Sequence, residues 1–275
     1  MAVASAASRD MGSVSLRRLK RIATTNERLF YGVIGFVLVT IIWEVAADLG
    51  LFRRSLLSSP SLIWTAATRD FGSGAIWPHL GTSLTEYLYG FGAALVIGVP
   101  LGLAIGTFRR VNAFLSVLLF GVYSTPKAAV APLIILVLGI GLESKVVLVF
   151  LLAFFSIIVS TMAGVQAAAE RHHDIARSFG ASPWLEFRSV ILPSTVPFLL
   201  TGIRIASGRA LVGVVVAEEL AANQGLGYYI DFFGTFLDTS RVMLGIVLLG
   251  GFGIVLGELV RRIEKRFEVW RPEIR

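Results

Sequence analysis

Six stretches of this chain are each long and apolar enough to cross a lipid bilayer, at about 29–49, 84–107, 113–139, 146–166, 195–221 and 241–260. A hydrocarbon layer of roughly 30 Å needs about 20 mostly apolar residues in helical form. Backbone N–H and C=O groups find no water there and must pair within the chain, so stretches of this kind fold as helices. Residues 146–155 are apolar on every side, unlike the alternating strands of a membrane β-barrel. Composition agrees: 16% of the 275 residues are charged, against about 25% in an average soluble domain. The expected fold class is therefore an all-α membrane protein with six transmembrane helices.

Charge placement orients the helices. Seventeen of the 25 Lys and Arg fall in the N-terminal tail, the connection after the second stretch, the 167–194 loop and the C-terminal tail, against five in the alternate connections. The positive-inside rule puts that majority in the cytoplasm. Both termini are expected there, in agreement with an even number of crossings. The expected organisation is a basic cytoplasmic tail over 1–28, apt to lie near anionic lipid, a transmembrane domain over 29–262 and a short cytoplasmic tail over 263–275. No nucleic-acid partner is expected. The sequence contains no cysteine, so no disulfide can form.

Local signals refine this outline. Pro126 and Pro132 interrupt the third stretch, which reads as one broken span or as a span plus a re-entrant piece. Ser59-Pro60-Ser61 resembles a helix start in the 50–82 connection, which reads either as a surface helix with Trp64 and Trp77 at the headgroup level or as a packed external loop. Gly98, Gly102 and Gly106 recur at spacing four, which permits close helix contact within the chain or between subunits.

The 167–194 loop has structure written into it. Residues 167–179 favour helix, Gly180 can end it in the left-handed conformation, and Ser182 followed by Pro183 can start another. Trp184, Leu185 and Phe187 give the second helix apolar groups, and Pro193 and Pro197 set the return into the membrane. A knob of that kind, charged and apolar at once, fits a docking surface for a soluble partner.

This loop resembles a known motif. Asp174-Ile175-Ala176, three residues, Gly180, nine residues, Val190, one residue and Leu192-Pro193 follow the spacing of the EAA loop of binding-protein-dependent ABC importer permeases. Asp174, Ile175 and Val190 stand where the motif has Glu, Ala and Ile. Further matches point to the nitrate/sulfonate/taurine branch: Leu57-Ser58-Ser59-Pro60-Ser61, Pro126-Lys127, Ala131-Pro132-Leu133, Gly202-Ile203-Arg204, Ala217-Glu218 and Gly225-Leu226-Gly227-Tyr228. The resemblance implies a type I importer permease fold in the bacterial inner membrane. It implies two permease chains, as a homodimer, two ATP-binding subunits and an extracytoplasmic solute-binding protein. Asp174, Ala176, Gly180, Ser182, Val190, Leu192 and Pro193 would form the lever that couples ATP hydrolysis to alternating access for a small anionic solute. No cofactor is expected in this chain. ATP and Mg would bind the partner, and no phosphate-binding loop occurs here; residues 139–145 have the wrong spacing for one.

Several residues are candidates for the solute path. Lys127 lies at the broken span, where an ionisable group attracts an anionic solute, snorkels or joins a structural ion pair. Arg204 and Arg209 lie in the fifth stretch and Glu218 near its end, with structural pairing to Glu44 or Glu86 as the alternative role for an arginine. Adjacent His172 and His173 point about 100° apart on a helix and make a poor metal site, so none is expected. A secondary transporter would need internal repeats and coupling carboxylates in mid-span, which the sequence lacks. No nucleophile–base pair marks an enzyme.

Overall fold

The computed structural model describes residue 27, residues 30–51 and residues 57–266, with side chains 170–173 and 177 excepted. Among the described residues every regular element is helical. Most of both expected tails, and the side chains of His172 and His173, lie outside what is described. The chain divides into two compact units, Met1–Thr65 and Ala66–Arg275.

In the first unit, α1 (Phe30–Asp48) is an apolar helix of spanning length with Ala47 as its one buried residue. Glu44 sits near its end and takes the start of α2 (Pro60–Gly72): its two carboxylate oxygens accept from the Ser61 amide at 2.9 Å and the Ser61 hydroxyl at 2.6 Å. A carboxylate at a helix N-terminus satisfies unpaired N–H groups and complements the helix dipole. Glu44 is thus an N-terminal anchor for the helix expected at Ser59-Pro60.

The second unit is built on three long helices: α3 (Ile76–Thr107), α6 (Leu142–Ser178) and α8 (Leu192–Ala221). α3 meets α6 through a stripe of small residues. A Cβ added at Gly90 would stand 2.6 Å from Val149 Cβ, one at Gly102 2.7 Å from Thr161 Cβ, and one at Gly106 2.6 Å from Val165 Cβ. Ala94, in the same register, is fully buried. The spacing-four glycines therefore serve contact within the chain. Without a hydrophobic force between helices in lipid, such close approach is what dispersion requires.

The third stretch is broken. α4 (Arg109–Ser124) is followed by a 3₁₀ turn (Lys127–Val130) and α5 (Ala131–Leu138), and the two halves meet at 84°. Thr125 is extended, as the residue before a proline must be, and Pro126 offers no N–H to continue the helix. Gly139, at φ +80°, ends α5. Among the described residues five helices are long and apolar enough to cross a membrane, and the bent pair supplies the sixth crossing if it counts as one span.

α6 runs 37 residues, about 55 Å at 1.5 Å per residue, well beyond a bilayer core. The helix expected over 167–179 is thus the unbroken continuation of the fourth span. After the turn at Gly180 come a single helical turn, α7 (Pro183–Glu186), and a π-helical segment (Phe187–Ile191) that leads into α8. At the far end of α8 a short helix unmarked by the apolar pattern, α9 (Leu226–Thr235), precedes α10 (Thr239–Arg266).

The α9 end of the unit is pinned by polar contacts. Asp70 on α2 accepts from Arg241 Nε at 2.9 Å, Arg241 Nη2 at 3.0 Å and the Tyr229 hydroxyl at 2.5 Å. Burial alone would raise the Asp70 carboxyl, but the bonds from Arg241 and Tyr229 outweigh it and hold it below its ordinary value. Burial and the neighbouring Asp70 push the Tyr229 phenol up.

Candidate functional site

The Gly180 turn follows the expected chemistry. Gly180 has φ +72°, and an added Cβ would find no atom within 4 Å, so the constraint is conformational and not spatial. The Ala181 amide reaches back to the Ala176 carbonyl at 3.0 Å and closes the end of α6. The Ser182 hydroxyl accepts from the Leu185 amide at 3.3 Å, with Pro183 at the first helical position. The knob's base is anchored where Val165, Ala168 and Ile191 bury themselves with Leu103 and Phe187. Val190 and Pro193 are half-buried in this base, and Leu192 is exposed. The tip is open: Phe179 is 86% exposed, Trp184 68% and Leu185 52%, with Asp174 and Ile175 exposed beside them. Apolar groups thus stand in the open at the tip, on a packed base.

The four candidate path residues separate into two kinds. Arg204 forms an ion pair with Glu264 of α10. Glu218, expected on the path, is wholly buried inside the subunit: it accepts from Ser83 Oγ at 2.6 Å and from the Gly227 amide at 2.6 Å, clamping the α8–α9 turn. Ser83 Oγ accepts in turn from the Leu226 amide at 2.8 Å. Glu86 likewise pairs with Lys145 at 2.7 Å and not with an arginine. Glu218, Arg204 and Glu86 hold helices together.

Lys127 and Arg209 are different, for the fold brings them to one tyrosine. The Lys127 ammonium donates to the Tyr123 carbonyl and lies 4.7 Å from the Tyr123 ring centroid and 5.0 Å from that of Phe155. Arg209 donates to the Tyr123 hydroxyl at 3.3 Å, with its guanidinium carbon 5.5 Å from the same ring. Pro126 makes this possible: the break leaves Lys127 on a turn just after Tyr123. Arg209 is exposed and Lys127 half-buried. Sequence reasoning passed over Tyr123 and the role of Phe155. Tyr123 stands four residues before Lys127, but a proline between them hides the relation that helical spacing would have shown.

Residues 95–269 match the family model described as the binding-protein-dependent transport system inner membrane component. The chain belongs to that family. It is 33% identical over 243 residues to the taurine transport system permease protein TauC of Escherichia coli (strain K12), covering 86% of this chain and 88% of the relative. It is 30% identical over 233 residues to the putative aliphatic sulfonates transport permease protein SsuC of Bacillus subtilis (strain 168), covering 85% and 84%. It is 32% identical over 238 residues to the formylaminopyrimidine transport permease protein ThiX of Halalkalibacterium halodurans, covering 86% and 94%. Among solved structures, an inward-facing form of the MetNI methionine ABC transporter matches with a TM-score of 0.57 at 20% identity, over 70% of this chain and 94% of that one. That likeness establishes the type I importer permease fold. The chain is an ABC transporter permease and a multi-pass membrane protein.

Proposed function

We propose that this permease is the pore-forming subunit of an ATP-driven importer for a small solute that bears an anionic group, of the sulfonate or taurine kind. Two copies line the path in the bacterial inner membrane, with both termini and the 167–194 knob in the cytoplasm. Two ATP-binding subunits dock on the knobs, and a solute-binding protein delivers substrate from outside. The chain carries no catalytic site of its own; ATP and Mg bind the partner subunits. Closure of those subunits on ATP pushes the Gly180 turn and alternates the access of the pore.

The observation that carries this is the knob: a long helix continued beyond the membrane, turned at a left-handed glycine and tipped with Phe179, Trp184 and Leu185 in the open. Substrate class rests on the taurine and aliphatic-sulfonate relatives and on the two cations at Tyr123. The test is reconstitution of the affinity-purified complex in vesicles, with uptake of radiolabelled taurine and ethanesulfonate measured with and without ATP on the knob side. Uptake that needs hydrolysable ATP is expected. Uptake that ignores ATP and collapses with an ion gradient would make the chain a secondary transporter and overturn the proposal.

A further inference from the structure

Away from the ends of the apolar helices, three cations lie at mid-length or at the break between α4 and α5: Lys127, Arg204 and Arg209. Nearer the helix ends Lys145 pairs with Glu86 and Arg241 with Asp70 and Asp238, and of the three at mid-length Arg204 meets Glu264. The other two, Lys127 and Arg209, meet no carboxylate among the described residues, and they are the two that share Tyr123. Along α8, Arg209 is roughly 18 Å from the Ala221 end and about 26 Å from the Leu192 end. That is hydrocarbon depth, where a charge is expected to face a cavity and to find a counter-charge. Two like charges held within electrostatic range of each other make the lack of one more costly.

We infer that Lys127 and Arg209, both held at Tyr123, are the station of the solute path that binds the oxyanion group, and that its ligand is a small sulfonate. Arg209 offers a planar fork of N–H donors, and Lys127 a point charge that already spends one donor on the Tyr123 carbonyl. A sulfonate has three oxygens to accept from both at once through charge-assisted bonds. The Phe155 ring, buried and 5.0 Å from the ammonium, backs Lys127 from within the subunit. Arg204 and Glu218 take no part, being satisfied within the subunit. This deepens the proposed function and rests on it.

The experiment uses the full complex in vesicles, with radiolabelled taurine and ethanesulfonate as probes. Lys127→Gln and Arg209→Gln are each expected to raise the KM of ATP-driven uptake about tenfold or more, the equivalent of about 1.4 kcal/mol of lost binding, while the amount of assembled complex stays at the wild-type level. Lys127→Arg, which keeps the charge, is expected to stay well below that rise. If the glutamine variants fail to assemble, Lys127→Arg and Arg209→Lys carry the test: a tenfold rise in KM in both, with charge intact, overturns binding by charge. A wild-type KM in the glutamine variants overturns the station while the importer proposal stands. Loss of the two-chain assembly with an unchanged KM in the complexes that form shows a counter-charge on the second copy, and also overturns it. A wild-type complex that moves neither sulfonate with ATP refutes the substrate class itself.

Discussion

Gly102 and Gly92 lie on the same helix, and replacing each by alanine should move stability in opposite directions. At Gly92 an added Cβ has no neighbour within 4 Å. The substitution there brings only the helix preference of alanine over glycine, up to about 1 kcal/mol. At Gly102 the same Cβ would stand 2.7 Å from Thr161 Cβ and 3.1 Å from the Ile158 carbonyl oxygen. A backbone oxygen cannot swing aside, so α3 and α6 must part by roughly 0.5–1 Å, and contacts opened by that much forfeit about a quarter to a half of their dispersion energy. The neighbouring Gly90–Val149 and Gly106–Val165 contacts share the loss. Overpacking of this kind costs about 1–3 kcal/mol, which exceeds the helix-preference gain and leaves Gly102→Ala net destabilised by about 1–2 kcal/mol. At roughly 2–4 °C per kcal/mol, the two variants should unfold several degrees apart. Tryptophan fluorescence during heating of the purified protein in detergent reads this directly. If Gly102→Ala unfolds at or above the wild-type temperature while Gly92→Ala behaves as expected, the glycine stripe is not the α3–α6 contact.

Two further perturbations probe the polar clusters. Asp70→Asn removes the carboxylate that binds Arg241 and Tyr229 and should cost about 2–3 kcal/mol. Because the folded Asp70 carboxyl lies below its ordinary value, its contribution is complete above about pH 4 and is lost as pH falls through the folded value. The gap between wild type and variant, measured by unfolding across pH, should therefore be flat at neutral pH and close only in acid; a gap that narrows between pH 6 and 8 would contradict this. Lys145→Met leaves the wholly buried Glu86 without its partner at 2.7 Å and should destabilise by about 3–5 kcal/mol, whereas the double variant with Glu86→Met should recover most of it; additive losses in unfolding experiments would argue against a coupled pair.

Much of this was legible in the sequence because the physics is local. Apolar length marked the spans, and the left-handed glycine and serine cap at 180–182 need only neighbours along the chain. Ala167 through Ser178 read as a helix, but nothing local could tell that α6 would pass from span to knob without a break. Partners were less legible. Arg204 met Glu264, Glu44 capped α2, and Glu218 turned inward to Ser83 and Gly227, because such pairings are decided by helix rotation and crossing, which apolar periodicity in a helix hydrophobic on all sides does not encode. α9 escaped notice because ten residues with two glycines make a weak pattern. The Tyr123 cluster depends on an 84° bend whose proline was visible and whose angle was not.

In the proposed mechanism the Gly180 turn transmits force between an ATP-hydrolysing partner and the pore. Gly180→Val tests it most directly. At φ +72° a branched side chain adds roughly 1 kcal/mol or more of backbone strain, and it lies in the α6–α7 turn, outside the packed spans. The measurement is ATP-driven uptake in reconstituted vesicles, with insertion, copurification of the ATP-binding subunit and ATP hydrolysis followed in parallel. The expected result is a chain that inserts normally and no longer couples hydrolysis to uptake. Uptake at the wild-type rate with wild-type coupling would contradict the account.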